Sequence, residues 1–167
     1  MADKAENVLD DIAVVPGLVI MDLQAETNQD AIKAMSSLLF EQGYVKESYI
    51  EAVKEREKVF YTGLGFEELG VALPHTDAVH VIHQAIAIGI LKKPVAFKTM
   101  GELDGTVDVK LMFMLAINKP DKQLDFLSSM IDSCQKPGKL LSVYNASAPE
   151  EAVELFKGFF KKEGNDI

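Results

Sequence analysis

Short apolar runs without charge alternate along this chain with longer segments whose apolar residues recur at every third and fourth position. The segment 84–97, "QAIAIGILKKPVAF", opens with an uncharged run, and 107–118, "VDVKLMFMLAIN", passes from alternation into a continuous apolar run. Such runs are typical of strands covered on both faces of a sheet. We expect two strands in the first segment, one in the second, and shorter strands within 14–25 and at 71–73.

Four other segments have the spacing of amphipathic helices. They cover residues 27–43, 46–60, 120–136 and 149–160. Thr27 or Asn28 can cap the first of these helices, and Gly43 can end it. In this order, the strands and helices predict an α/β fold, a single-domain sandwich with one mixed sheet flanked by helices.

The last two predicted helices carry more detailed expectations. In the third, the spacing predicts a core-facing side made of Leu124, Leu127, Ile131 and Cys134. Ser147, with Glu150 three residues later, has the spacing of a capping box for the fourth. The short apolar piece between these helices, 139–144, carries no prediction of helix or strand.

The composition indicates one globular domain and excludes several classes of function. The chain has 167 residues, 48% of them hydrophobic, and we expect one domain over 12–162 after a loose segment at 1–11. The net charge of −9 argues against nucleic-acid binding, because such binding uses Lys and Arg to neutralise phosphates. No signal peptide is recognisable, and no apolar run approaches the roughly 20 residues that span a bilayer. With Cys134 as the single cysteine, this favours a soluble, cytoplasmic protein without membrane insertion.

All histidines of the chain lie in one stretch, "GVALPHTDAVHVIHQ" at 70–84. A zinc site made of His75, His80 and His83 is one interpretation, and bound metal after purification would test it. The spacing argues against it, because His80 and His83 point to opposite faces if the stretch forms a turn and a strand. His75 differs from the other two, since it follows a short strand and Pro74 at a position where loops on a rigid scaffold carry function.

Two further residues are candidates for chemistry. Cys134 is disfavoured as a nucleophile, because a free cysteine on the apolar face of a helix is usually buried. Arg56 shares one face of the second predicted helix with Tyr49, Val53 and Phe60. Charged groups rarely occupy such a face unless they are paired or face a cleft. An ion pair with Glu55, Glu57 or another carboxylate would explain Arg56, and so would a binding role.

The stretch "EREKVFYTGLGFEELGVALPHTDAVHV" at 55–81 resembles the active-site region of enzyme IIA domains of the bacterial phosphoenolpyruvate-dependent sugar phosphotransferase system. The mannitol/fructose class of that family has, in this order, an "ERE" helix, a loop with Thr and Gly, and a strand that ends in Pro-His. The resemblance extends over about 14–160, and the form "PHTDAVHV" is most similar to the galactitol-specific branch. It implies the mannitol/fructose-type IIA fold.

The resemblance also implies roles for two residues. His75 would accept a phosphoryl group from the carrier protein HPr and pass it to a cysteine of a IIB component, and so to a sugar at the membrane component IIC. Arg56 would match the active-site arginine of the family. No metal and no organic cofactor is implied, because the phosphoryl group arrives on a protein.

One position departs from the mannitol branch of the family. That branch has a second histidine near the start of the helix after the long strand, and the matching position here is Gln123. A glutamine can form hydrogen bonds with phosphoryl oxygens but carries no charge. His80 and Thr76 are further candidates for contacting the phosphoryl group. The alternative function is a regulatory IIA-like module, whose histidine phosphorylation signals without sugar transport.

Overall fold

The computed structural model describes residues 8–160 and contains a five-stranded mixed sheet. The strands are β1 (Val19–Leu23), β2 (Gly63–Gly65), β3 (Gly70–Ala72), β4 (Ala85–Lys98) and β5 (Thr106–Ala116). Their order across the sheet is β1-β4-β5-β3-β2. The pairs β1–β4 and β3–β5 are parallel, whereas β4–β5 and β2–β3 are antiparallel.

Helices cover both faces of this sheet. In the described residues they are α1 (Asn28–Glu41), α2 (Ser48–Glu57), α3 (Pro120–Cys134), α4 (Lys139–Tyr144) and α5 (Pro149–Gly158). Successive residues of β4 point into two separate cores, because side chains alternate along a strand. Ala85 and Ala87 belong to the core with α1 and α2, and Ile86 and Ile88 belong to the core with α3, α4 and α5. The predicted α/β sandwich is therefore confirmed.

The two strands predicted to be covered on both faces lie inside the sheet, since β4 pairs with β1 and β5, and β5 also pairs with β3. The prediction of two strands within 84–97 is wrong, because one strand continues over Ala85–Lys98. Its pairing with β5 shifts register between Ile90 and Val95. Pro94 lies in this interval and cannot donate a backbone hydrogen bond. β5 is long enough to pair on both sides of the irregularity, so the strand stays continuous.

The predicted core-facing side of α3 needs correction. Leu124 is 68% exposed, whereas Phe126 and Met130 are fully buried. The ring of Phe126 lies against those of Phe156 and Phe160, with centroids 6.4 and 5.6 Å apart. Aromatic rings bury more apolar surface than a leucine does, so this cluster determines which side of α3 faces the core.

The predicted capping box before α5 is wrong. The N-cap is Ala148, which makes no side-chain cap bond, and Pro149 occupies the first turn. Ser147 donates from its N–H and its hydroxyl to one carboxylate oxygen of Glu151, at 2.7 and 2.9 Å. The helix begins one residue later than the box requires, so the partner of Ser147 is Glu151 and not Glu150.

The piece 139–144 forms α4, and its N-terminus is capped from a distant part of the chain. The N–H groups of Gly138 and Leu141 donate to the two carboxylate oxygens of Glu68 in the connection between β2 and β3. Residues 68 and 138 are 70 positions apart. Local spacing cannot reveal such a cap.

The N-terminal residues of the described part lie against the domain. Residues 8–11 form a turn, Val8 and Leu9 pack against the core, and Ile12 and Val14 are buried. Residues 1–7 of the predicted loose segment, and residues 161–167 around the predicted end at 162, lie outside the described residues. Between residues 8 and 160, no helix is long and apolar enough to cross a membrane.

Candidate active site at His75

The backbone of His75 is held by the central strand β5. His75 pairs with Leu115, whose N–H donates to the Pro74 carbonyl at 3.0 Å. The hydroxyl of Tyr49 on α2 donates to the Leu115 carbonyl at 2.7 Å, and the Tyr49 side chain is fully buried. His75 therefore follows β3 on a part of the fold that cannot easily shift.

The imidazole of His75 is oriented by its own strand. The residue is 9% exposed, and Nδ1 lies 2.8 Å from the carbonyl oxygen of Leu73. A carbonyl can only accept, so Nδ1 carries the proton and the lone pair of Nε2 remains free. Burial lowers the pKa of His75, and the charge of Arg56 lowers it further, against the raising effects of the Leu73 bond and of Asp77. The ring is neutral near pH 7, as a nucleophilic nitrogen requires.

Arg56 lies in the last turn of α2 and lines the same cleft as His75. Its side chain is 33% exposed, and Nη1 is 3.8 Å from Oδ1 of Asp77. The guanidinium carbon lies 4.7 Å from the centre of the Phe60 ring. Nε is buried without a hydrogen-bond partner among the described residues. The ion pair between Arg56 and Asp77 is long and leaves N–H donors of the guanidinium unused. The guanidinium can therefore bind an anion that enters the cleft.

The cleft that Arg56 and His75 share is open and has a volume of about 470 Å³. The turn after α2 and the connection between β4 and β5 form most of its remaining wall. Three apolar side chains of this wall are exposed, namely Val59 at 66%, Phe60 at 58% and Leu103 at 89%. Exposed apolar groups around a buried polar centre are typical of a surface that another protein covers.

Glu57 and Thr62 are residues of the site that the sequence reasoning missed. Glu57 is 4% exposed, and its carboxylate accepts the N–H and the hydroxyl of Thr62, both at 2.8 Å. Burial raises the pKa of Glu57 to about 7, although the Thr62 bonds and the charge of Arg56 favour the ionised form. These bonds close a turn, so α2 ends at Glu57 and not at residue 60. The four-residue spacing of Tyr49, Val53 and Glu57 is the signal that could have identified the buried carboxyl.

The three further candidates from the sequence have different surroundings. Thr76 directly follows the candidate nucleophile and is 6% exposed. Gln123 lies one helical turn before the cleft residue Leu127, and its Oε1 is buried without a hydrogen-bond partner among the described residues. His80 is bound elsewhere, because its Nδ1 lies 2.8 Å from the Ser48 hydroxyl at the start of α2. None of the three is among the described residues that line the cleft.

The remaining groups considered from the sequence are not part of this cleft. His83 is exposed. Over residues 8–160, no group of three or more His, Cys, Asp and Glu side chains is placed to hold a metal ion. Cys134 is buried, as its helix position predicted, and burial raises the pKa of its thiol to about 12. The thiol therefore stays protonated at neutral pH and is a poor nucleophile.

A neutral nucleophilic nitrogen beside a guanidinium suits phosphoryl transfer, which needs positioning and charge stabilisation more than other chemistry. The family model described as "Phosphoenolpyruvate-dependent sugar phosphotransferase system, EIIA 2" matches residues 14–158. The chain belongs to this family. Membership gives the EIIA 2 domain a general role in phosphoryl transfer within that system.

Relatives of this EIIA 2 domain include mannitol- and galactitol-specific IIA components and a transcriptional regulator. The mannitol-specific enzyme IIA component of Staphylococcus aureus is 28% identical over 142 residues, which are 83% of this chain and 91% of that protein. The galactitol-specific EIIA component of Escherichia coli is 30% identical over 95 residues, 57% of this chain and 63% of that component. The transcriptional regulator ManR of Bacillus subtilis is 35% identical over 109 residues, 65% of this chain but 15% of the regulator. The chain thus spans less than two thirds of the last two relatives.

Solved structures share the fold of this EIIA 2 domain. IIA mannitol from Escherichia coli has a TM-score of 0.69 at 20% identity, over 86% of this chain and 99% of that one. The complex of enzyme IIA mannitol with phosphorylated enzyme IIB mannitol, from the same organism, has a TM-score of 0.69 at 22% identity. The match covers 85% of this chain and 95% of that one. The nitrogen regulatory protein IIA-Ntr from Neisseria meningitidis has a TM-score of 0.67 at 21% identity, over 87% of this chain and 96% of that one. The predicted mannitol/fructose-type IIA fold is confirmed.

Proposed function

We propose that this EIIA 2 domain is a phosphocarrier of a sugar or alditol phosphotransferase system and that His75 carries the phosphoryl group. The observation that supports this most directly is the state of the His75 ring. Its Nδ1 is bound to the Leu73 carbonyl, which leaves Nε2 free in a cleft that also contains Arg56. This arrangement would supply both the nucleophile and the positive charge that phosphoryl transfer requires.

In the proposed reaction, the Nε2 lone pair attacks the phosphorus of phosphorylated HPr. The Nε2–P bond forms as the bond between phosphorus and the donor atom of HPr breaks, and the electron pair of that bond stays on the donor atom. Nδ1 keeps its proton, which the Leu73 carbonyl holds. In the second transfer, a cysteine thiolate of the IIB component attacks the phosphorus, and the electron pair of the Nε2–P bond returns to Nε2. Neither step requires a metal or an organic cofactor.

Arg56 is proposed to stabilise the charge on the equatorial phosphoryl oxygens. Its planar fork can donate to two of these oxygens at once. Asp77, its present partner at 3.8 Å, is exposed and can be displaced by a more highly charged phosphoryl group.

Gln123 and Thr76 are proposed as additional hydrogen-bond donors to the phosphoryl group. The oxygen and nitrogen of an amide exchange places when the group turns over. In that orientation, Gln123 would place an N–H donor where Oε1 now has no partner among the described residues. His80 is the weakest candidate, because its Nδ1 is engaged by Ser48.

The partners in this proposal are HPr as the donor and a IIB component as the acceptor, with the sugar received at the membrane component IIC. A IIB partner is supported by the similarity in fold to enzyme IIA mannitol, which has been solved with phosphorylated enzyme IIB mannitol. The mannitol- and galactitol-specific relatives favour an alditol, with a galactitol-like compound as the first candidate. The transfer would take place in the cytoplasm.

A regulatory module is the second candidate function, and the similarity to ManR favours it. In that role, phosphorylation of His75 would act as a signal and no sugar would move. Transfer to purified IIB components of the same organism separates the two roles. Failure of every IIB component to accept the phosphoryl group would favour regulation.

The phosphorylated residue can be tested directly. Incubation with phosphoenolpyruvate, Enzyme I and HPr should label the protein with acid-labile phosphate. H75A should remain unlabelled, whereas H83A, which removes an exposed histidine of the same stretch, should be labelled like the wild type. Wild-type labelling of H75A would refute the assignment.

A further inference from the structure

Glu57 and Thr62 form a buried pair that the proposed transfer steps do not use. The Thr62 hydroxyl donates to Oε1 of Glu57 and the Thr62 N–H donates to Oε2, both at 2.8 Å. The two residues are 4% and 3% exposed. A buried carboxyl is costly unless its oxygens are bonded, so the two bonds hold the pair as one unit.

The Thr62 side chain connects this pair to the residue that holds His75. Since the hydroxyl gives its proton to Glu57, its oxygen can only accept further bonds. The N–H of Leu73 is shared between Oγ1 and the carbonyl oxygen of Thr62, each at 3.3 Å. The carbonyl of Leu73 accepts the Nδ1 proton of His75 at 2.8 Å. Leu73 is therefore held by Thr62 on its N–H side and holds the imidazole on its carbonyl side.

We propose that Glu57 is a positioning residue for phosphoryl transfer at His75, acting through Thr62 and Leu73. The inference rests on the function proposed above and adds a residue that acts three hydrogen bonds away from the nucleophile. A displacement of the reacting nitrogen by about 1 Å can slow a transfer on the order of a hundredfold. The bonds that locate Leu73 are for this reason part of the site.

The ionisation state of Glu57 should affect how Thr62 and Leu73 position the His75 ring. The carboxylate accepts both bonds from Thr62. When the group is protonated, one of its oxygens becomes a donor and competes with the Leu73 N–H for the Thr62 hydroxyl oxygen. Burial raises the pKa of Glu57 to about 7, so both states are populated near neutral pH.

Protonation of Glu57 and protonation of His75 can both contribute to the pH dependence of transfer, and their contributions can be separated. Arg56 precedes Glu57 on α2 and lowers its pKa. Arg56 in turn lies 3.8 Å from Asp77, and the charges of both residues act on His75. Burial lowers the pKa of His75, so protonation of the nucleophile occurs at a lower pH than protonation of Glu57.

The first test needs no phosphoryl donor. Nitrogen-15 NMR of the His75 ring between pH 5 and 9 reports which nitrogen carries the proton. Above pH 7, where Glu57 is ionised, we expect the Nδ1–H form in the wild type and in T62S, which keeps the hydroxyl. T62V should shift the ring towards a mixture of both forms. Wild-type ring shifts in folded T62V would overturn the inference, whether or not the protein is a phosphocarrier.

The second test is single-turnover transfer from phosphorylated HPr between pH 5.5 and 8.5. The wild-type rate should rise with pH through about 7, where Glu57 ionises. In E57Q, the rate should no longer rise with pH through about 7. At pH 8 this variant should react about tenfold more slowly than the wild type, with an unchanged Kd for phosphorylated HPr. E55Q removes an exposed carboxylate of the same helix and should keep the wild-type profile.

The outcomes of the two tests separate the inference from the proposed function. A wild-type pH profile in E57Q would overturn the role of Glu57 while leaving His75 as the phosphorylated residue. Absence of labelling in the wild type would overturn the phosphocarrier function, and the His75 ring shifts of E57Q, recorded in the same NMR titration as T62V, then decide about Glu57: wild-type shifts in E57Q would overturn its role.

Discussion

Burial acts on two ionisable residues of the site and disfavours the charged form of each. It lowers the pKa of His75, which favours the neutral imidazole that the proposed phosphoryl transfer needs. It raises the pKa of Glu57 to about 7, which places a titratable carboxyl behind the histidine. The same apolar surroundings therefore favour the neutral form of the proposed nucleophile, and they place a carboxyl that titrates near neutral pH behind it.

Replacing Glu57 by Gln should change how stability depends on pH. The folded state raises the pKa of this carboxyl from 4.5 to about 7, so its stabilising contribution is complete below pH 4.5 and is lost as the pH rises through 7. The loss amounts to roughly 3 kcal/mol in the free energy of unfolding. Urea unfolding at a series of pH values should show wild-type stability falling by that amount relative to E57Q. If the free energies of unfolding of the two proteins change with pH in parallel, the pKa of Glu57 is not raised in the folded state.

Replacing Arg56 by Lys should slow transfer much more than it affects folding. Lysine keeps the charge but lacks the fork that binds two oxygens, and the loss of one such donor typically slows a reaction about a hundredfold. The ion pair with Asp77 is long and its carboxylate is exposed, so stability should change by less than about 1 kcal/mol. Stopped-flow transfer and urea unfolding measure the two effects. A wild-type rate in R56K would exclude two-oxygen binding.

At the scale of elements, the site depends on close contact between β2 and the end of β4. Gly63 pairs with Ala72 of β3 and with Thr99, and its carbonyl accepts the Met100 N–H at 2.8 Å. A Cβ at residue 63 would lie 2.7 Å from the Lys98 carbonyl oxygen. Gly63 thus lets two backbones meet where the wall of the cleft begins.

Gly63→Ala should destabilise the domain and slow transfer together. The added methyl group meets backbone atoms, which cannot move aside as a flexible side chain would, at a cost of about 1–3 kcal/mol. The backbone movement that relieves this contact should also displace Thr62 and so disturb the orientation of the His75 ring. Gly158→Ala is the matched control, because a Cβ there meets nothing within 4 Å and lies at the end of α5. Equal thermal stability of the two variants would contradict the close contact.

At the scale of the whole molecule, the sandwich leaves an exposed apolar rim around a buried polar centre. Val59, Phe60 and Leu103 are exposed and line the cleft with His75. Apolar groups at such positions stabilise an interface when a partner covers them. The partner protein, rather than this domain alone, would then exclude water from the reacting atoms.

Leu103→Gln should weaken binding of phosphorylated HPr without affecting the chemical step. Leu103 is 89% exposed, so the change should leave stability within about 0.5 kcal/mol of the wild type. Loss of its apolar contact should raise KM about tenfold with a similar kcat. Leu141→Gln, at a residue of α4 that is 40% exposed and outside the lining of the cleft, is the control. If both variants have the wild-type KM, the rim does not bind HPr.

The sequence by itself determined the features that depend on local pattern. The uncharged runs predicted the covered parts of β4 and β5, because burial on both faces excludes charge from that part of a strand. Thr27 caps α1 as predicted, with its hydroxyl oxygen accepting the Asp30 N–H at 3.1 Å. Pro74 before His75, and the spacing of Arg56, predicted two residues that the structure brings to one cleft.

The tertiary structure alone decided whatever depends on residues far apart in the chain. Aromatic packing with α5 chose the buried side of α3, and Glu68 caps α4 from 70 positions away. Glu57 belongs to a charged "ERE" run, yet it is buried against Thr62 and has a raised pKa. His80 belongs to the histidine stretch, yet it binds Ser48. Sequence spacing describes what a residue's neighbours in its own element allow, whereas burial and charge depend on the groups that folding brings around it.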